Sequence, residues 1–338
     1  MRTQNDLHII TTCIWLLFLS LTGCISLTPL PDSIQQQIED GVEQGMDGVI
    51  ICVNDPEGIA LYSAGWKNRE NQIPADPHAL FKIASISKLY IAAATSKLIA
   101  IEQMSLEGTL AEYIPEVTNK IPNANQITLR MMLQHRSGIL DYSSEPQIDG
   151  EAFDDYLSFA ARIYDKPAVF APNKKYRYSN TNYLLIGEII DRTLGYSHHT
   201  YISNEILSPL GLNNTYNVPS EVDMEELMSG YLKGWEPDVK DWEFPLPGGS
   251  MIATAEDVSI FLRALIDGTL FTPEEQSIYT SVYPYEHTGW LPGYTSIARY
   301  HGDIDAVVVQ FVSTSGKEIY WLELERTYKR IVRILEKK

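Results

Sequence analysis

The 338-residue chain has only three cysteines, at positions 13, 24 and 52. So few leave no room for a disulfide framework or a Cys-based metal site. Cys52 sits in Val49-Ile50-Ile51-Cys52-Val53, which reads as a buried strand, and a thiol there behaves as a small core hydrophobe. Positive charge is also scarce: 26 Lys and Arg against 44 Asp and Glu give a net charge of −18. That argues against a nucleic-acid partner, because phosphate binding needs clustered Lys and Arg. No apolar run reaches the about 20 residues that a membrane-spanning helix requires. Neither His-Glu-x-x-His nor Gly-x-Ser-x-Gly occurs, which removes the common zinc-hydrolase and α/β-hydrolase signatures. No metal or cofactor is expected.

What is present begins with a short apolar stretch, Ile9 to Leu21, behind a single Arg2. It is too short to span a bilayer and fits the h-region of a secretory signal. It runs into Leu21-Thr22-Gly23-Cys24, which resembles the lipobox of bacterial lipoproteins. That resemblance implies a leader over residues 1–23, lipidation of Cys24 and a tether over 24–33. It places the protein in a bacterial cell envelope, anchored by lipid to a membrane. Loss of Arg2 and Asp6 with the leader keeps the charge at −18.

The remainder, residues 34–338, reads as one composite domain. A first helix has Asp32 as candidate cap, with Ile34, Ile38 and Val42 on one face. Strands are predicted over Gly48 to Val53 and Ile59 to Trp66, joined by the turn Asn54-Asp55-Pro56-Glu57-Gly58. Leu80 to Ala84 leads into a long apolar helix from about Ser85 to Ile101. From about 105 to 245 helical runs such as Ile127 to His135 and Tyr183 to Thr193 alternate with Pro- and Gly-bearing loops. His198-His199 reads as a polar turn. A helix over Asp257 to Ile266 follows, then strands over Ser296 to Tyr300 and Ala306 to Ser313. The closing helix, Glu318 to Lys337, carries Trp321, Leu324, Tyr328, Ile331 and Leu335 at core-packing spacing. Strands at both ends and helices between them predict an α/β (α+β) fold. Its antiparallel sheet is built from both termini, about 34–104 and 246–338, around a mainly helical insertion.

Three short motifs carry chemistry. Ser85-Ile86-Ser87-Lys88 puts a hydroxyl and an amine on one face of a helix start. Apolar neighbours and the positive helix end disfavour a charged ammonium, so Lys88 can take the Ser85 proton. Backbone N–H groups at that start can face an oxyanion. Tyr178-Ser179-Asn180 offers a phenol able to relay a proton, if a cation such as Lys88 lowers its pKa, and an amide able to orient lysine or substrate. His287-Thr288-Gly289 fits an edge strand along which a substrate can lie, with Gly289 giving clearance. Each motif occurs once, and in this order.

Together these motifs resemble those of the serine β-lactamase and DD-peptidase superfamily, in the branch holding class C β-lactamases, D-alanyl-D-alanine carboxypeptidases and related esterases. Flanking runs agree: Phe81 to Ala84, Leu133 to Gly138, Tyr178 to Ile190, Pro209 to Leu212, Gly248 to Asp257 and Leu291 to Tyr294. The likeness covers about residues 35–335. It implies the β-lactamase/DD-peptidase-like fold and an acyl-enzyme on Ser85. It implies acid–base work shared by Lys88 and Tyr178, and an oxyanion hole from the N–H groups of Ser85 and Trp290. Asn180, His287, Thr288 and Gly289 would hold the substrate, a small peptide, ester or β-lactam.

Some positions depart from the family pattern. His287 stands where many relatives have lysine and is charged only below about pH 6.5. No Lys or Arg occurs from Ala264 to Ala298, so an arginine for a substrate carboxylate would come from elsewhere. Trp290 replaces a small residue, and Asn173 replaces a glycine where Asn also tolerates positive φ. These features weaken the case for a β-lactamase. The leading expectation is D-Ala-D-Ala carboxypeptidase-like hydrolysis of cell-wall-type peptides. The alternatives are an esterase or β-lactamase on the same fold, or a non-catalytic lipid-anchored binding protein.

Overall fold

The computed structural model describes residues 29–145, 155–316 and 318–337. The leader, Cys24 and the start of the tether lie outside the described residues.

The centre is a six-stranded antiparallel sheet. Its strands are β1 (Gly48–Asp55), β2 (Gly58–Asn68), β3 (Ile73–Pro74), β4 (Glu286–Leu291), β5 (Tyr294–His301) and β6 (Ala306–Val312). The order is β3-β2-β1-β6-β5-β4, so β1 from one end of the chain pairs with β6 from the other, Val49 opposite Val312. Pro56 and Glu57 make the β1–β2 turn, and Gly58 follows at φ 125°, which suits glycine.

Period-2 alternation splits the sheet between two cores. Val49, Ile51, Val53, Val308 and Val312 face helices α1 (Ile34–Glu43) and α7 (Glu318–Leu335), meeting Ile38, Leu324, Tyr328 and Ile331. Ile50, Cys52, Val307, Val309 and Phe311 face the other way, into the main core. Both faces are covered, so β6 is buried along its whole length. Burial pushes the Cys52 thiol up to about 12, so it stays a thiol in the core.

The main core is organised on α2 (Ser87–Ala100), which is buried nearly all round. Around it stand α3 (Leu129–Leu133), α4 (Asn180–Leu194), α5 (Ala255–Asp267) and α6 (Pro273–Val282).

Four details differ from the sequence expectation. Ser33, not Asp32, caps α1, its hydroxyl accepting from the Gln36 N–H at 3.2 Å. Helix α6 was not anticipated, although Thr272, Pro273 and Glu275 form a capping box with proline at its start. His198-His199 opens a short helix, His198–Ile202, and the buried His198 ring lies 2.8 Å from Asp191. Two-residue strands at Phe81–Lys82, Ile252–Ala253 and Thr215–Tyr216 form a ribbon too short to show alternation. That ribbon anchors the segment leading to Ser85.

Candidate active site

Ser85 sits in a single 3-10 turn, Ala84–Ile86, wedged between the Phe81–Lys82 strand and α2. The bend needs Ala84 at φ 53°, a region that residues other than glycine seldom occupy. Neighbours pin it. Ser87 Oγ donates to the Ala84 carbonyl at 2.6 Å and accepts from the Met251 N–H at 3.2 Å. Ser296 Oγ donates to the Ile83 carbonyl at 2.9 Å. A strained turn held on both sides fixes where the Ser85 hydroxyl points.

One helical turn on, Lys88 is 1% exposed. As an ammonium, its Nζ donates to Ser85 Oγ at 3.0 Å, to Asn180 Oδ1 at 3.0 Å and to the Gly248 carbonyl at 2.7 Å. Burial pushes the amine down to about 7, against the upward pull of Asp141. Asn180 Oδ1 and the Gly248 oxygen can only accept. A neutral amine therefore gives them its two hydrogens and turns its lone pair to Ser85 Oγ.

Tyr178 OH donates to the same Oγ at 2.9 Å. The expected lowering of its pKa by Lys88 does not occur: burial pushes the phenol well above 10, outweighing the hydrogen bond to Ser85. Tyr178 is thus a proton donor at neutral pH. Its ring stacks on buried His135, centroids 4.4 Å apart at 27°. The Ser179 N–H donates to His135 Nδ1 at 3.2 Å, which puts the ring hydrogen on Nε2. Burial holds His135 down to about 3.

Two supports were not singled out from sequence. Asp141 Oδ2 accepts from both the N–H and the Nδ2 of Asn180, each at 3.1 Å, and so sets which face of the amide meets Lys88. Asp141 also caps a 3-10 turn at Tyr142–Ser144. His135 appeared only inside the flanking run Leu133 to Gly138. An aspartate two residues past Ile139 looks like an ordinary turn residue, so only the fold shows what it touches.

The opposite wall is β4, which among the described residues is an edge strand paired with β5 alone. A Cβ on Gly289 would stand 2.2 Å from Ser296 Oγ and 2.5 Å from the Ile83 carbonyl. Glycine therefore lets β4 lie against the Ser85 turn. Thr288 and Trp290 flank it, and the Trp290 side chain is half exposed. His287 Nδ1 lies against the Thr288 carbonyl. Burial, helped by the Lys88 charge, pushes this imidazole down to about 3. It is neutral even at the pH where an unperturbed histidine would be half charged.

These residues meet in a cavity of about 1180 Å³, bordered by Ser85, Tyr178, Asn180, Gly248 and β4 from His287 to Leu291. The structure brings every proposed site residue of the domain to this one cavity wall or, for Lys88, directly behind it.

A family model described as Beta-lactamase matches residues 34–282. The chain belongs to the β-lactamase family. The fold is accordingly that of a serine hydrolase. Protein flp of Staphylococcus aureus (strain COL) is 26% identical over 247 residues, 69% of this chain and 49% of that one. The chain thus spans about half the length of that curated relative. The crystal structure of D-amino acid amidase from Ochrobactrum anthropi SV3 superposes with a TM-score of 0.78 at 25% identity, covering 90% of this chain and all of that one. The class C β-lactamase of Rhodobacter sphaeroides gives a TM-score of 0.74 at 20% identity, with 90% of this chain and all of that one covered.

Proposed function

We propose that this β-lactamase-family chain hydrolyses small amides and esters through an acyl-enzyme on Ser85. The observation that carries this reading is the shared Ser85 Oγ: Lys88 Nζ at 3.0 Å on one side and Tyr178 OH at 2.9 Å on the other. In acylation, Lys88 takes the Ser85 proton as Oγ bonds to the substrate carbonyl carbon. The N–H groups of Ser85 and Trp290 hold the oxyanion. The bond to the leaving group breaks, that group takes the Tyr178 proton, and the lysine proton restores the phenol. In deacylation water adds to the ester and loses a proton by the same route, and Ser85 recovers it. Asn180, Thr288 and Gly289 hold the substrate, with His287 beside them as a neutral group.

A neutral His287 and a β4 without Lys or Arg favour substrates with no carboxylate beside the scissile bond. That moves amidase or esterase action ahead of D-Ala-D-Ala carboxypeptidase or β-lactamase action. The fold shared with a D-amino acid amidase supports amides first. One observation favours the carboxypeptidase reading: Arg162 lines the cavity, its guanidinium 5.4 Å from the Phe159 ring.

The test compares wild type with Ser85→Ala on D-phenylalanine amide, a D-Ala-D-Ala peptide, nitrocefin and nitrophenyl acetate. Turnover should fall about a thousandfold or more in the variant. Mass spectrometry should find the acyl group on the Ser85 peptide of wild type only. A variant rate near wild type would mean a different nucleophile.

A further inference from the structure

A second cavity, of about 420 Å³, lies on the far side of Tyr178. Among the described residues, Tyr178, His287 and Thr288 alone line both it and the larger cavity. Ser85, Asn180, Gly289 and Trp290 border the larger one alone. Strand β4 runs past both, with Glu286 at the small cavity and Trp290 at the large one, about 13 Å apart at strand rise.

We propose that the small cavity is a leaving-group subsite that takes an uncharged aromatic group. This rests on the acyl-enzyme reading above, in which the departing atom accepts its proton from Tyr178. The nucleophile faces only the large cavity, and the proton donor stands in the shared wall. The acyl part therefore occupies the large cavity, and the group expelled toward Tyr178 leaves into the small one.

The walls define its chemistry. Tyr283 lies parallel to the His287 ring, at 9° and 6.0 Å, and Tyr176, 64% exposed, forms an outer wall. Aromatic faces and edges of this kind hold a flat apolar ring. The charges exclude an anion. The Arg299 guanidinium lines the cavity but is engaged by Glu325 at 2.6 and 3.1 Å and by Glu286 at 3.4 Å. Glu286 itself is exposed on the strand. His287 adds no positive charge. A carboxylate here would meet Glu286, and among the described lining residues no cation is left to receive it.

The experiment uses acetyl esters of 3-hydroxybenzamide and 3-hydroxybenzoate, which differ in charge, with each acylation rate taken relative to that ester's own hydroxide-catalysed hydrolysis so that the difference in phenol acidity cancels. Acylation and deacylation are resolved by stopped flow. Wild type should acylate faster with the neutral ester and deacylate at one common rate. Tyr176→Ala should slow acylation by the neutral ester about three- to tenfold, leaving deacylation unchanged. Glu286→Gln should speed acylation by the carboxylate ester and leave the neutral one alone. Equal acylation by the two esters in wild type overturns the subsite, as does a Tyr176→Ala effect on deacylation as large as that on acylation. Failure of the acyl-enzyme reading looks different, since no phenol burst and no acetylated Ser85 would then appear with either ester.

Discussion

The carbonyl of Gly248 accepts a 2.7 Å hydrogen bond from Lys88 Nζ, and the backbone reaches that position at φ 77°. A Cβ at 248 would lie 3.0 Å from both Lys88 Cγ and Tyr183 Cβ. Gly248 is therefore required twice, by its conformation and by the closeness of the lysine it orients.

Gly248→Ala should lower kcat/KM by about tenfold or more, because the lysine lone pair loses its aim. The left-handed conformation should also cost about 1–2 kcal/mol of stability. Steady-state kinetics with a denaturant titration checks both. An alanine variant of wild-type activity would show that Gly248 does not position Lys88.

Activity should rise with pH through about 7 as Lys88 loses its proton and becomes a base. No loss should follow up to about pH 9, since Tyr178 is held above its usual range and stays protonated. His287 and His135, both held down to about 3, should add no step near neutrality. The check is a kcat/KM profile of wild type and His287→Gln. A step near pH 6.5 that vanishes in the variant would contradict a neutral His287.

Lys88 should also leave a mark on stability. Its folded pKa lies below its unfolded value of 10.5, so between about 7 and 10.5 the unfolded chain binds more protons. Lys88 should therefore contribute a rise of stability with pH across that window, by at most about 1.4 kcal/mol per pH unit. Below about 7 the penalty is fully present. Lys88→Met should lack this contribution and keep only the smaller rise that Lys82, pushed down to about 8 by burial, supplies. Parallel stability curves for the two proteins from pH 7 to 10 would rule out a depressed lysine.

Asp141 orients Asn180 and pulls the Lys88 pKa upward. Asp141→Asn should lower kcat more than it changes KM and move the midpoint of the pH profile toward acid. A purely structural role would leave that midpoint in place.

Cys24 lies outside the described residues, and its lipidation remains a proposal drawn from Leu21-Thr22-Gly23-Cys24. Cys24→Ala should move the protein from the membrane fraction to the soluble fraction of an expressing bacterium. Unchanged fractionation would reject the anchor.

The sequence showed the three motifs and the long strands because each is local. Ser85 and Lys88 are three apart, β1 and β6 are apolar runs, and Gly289 marks an edge strand. What it hid depends on distant contacts. The Tyr178 pKa follows from burial against His135 and its surroundings, which reverses the effect expected of Lys88. The neutrality of His287 likewise depends on the groups the fold brings against its ring, Lys88 among them. Asp141 and the Gly248 carbonyl are unremarkable in sequence and become meaningful only when α2, α4 and the loop before α5 converge. Ser33 was missed for a smaller reason, since Asp32 and Ser33 are both good caps and side-chain geometry chose between them.

The pairing of β1 with β6 joins residues about 260 positions apart. While the chain is being synthesised, the β1–β2 hairpin must wait with an open, apolar edge until β6 emerges. Such long-range closure is slow and leaves intermediates prone to association. Assembly of the sheet, more than formation of the helices, should therefore limit how fast and how cleanly this protein reaches its native state.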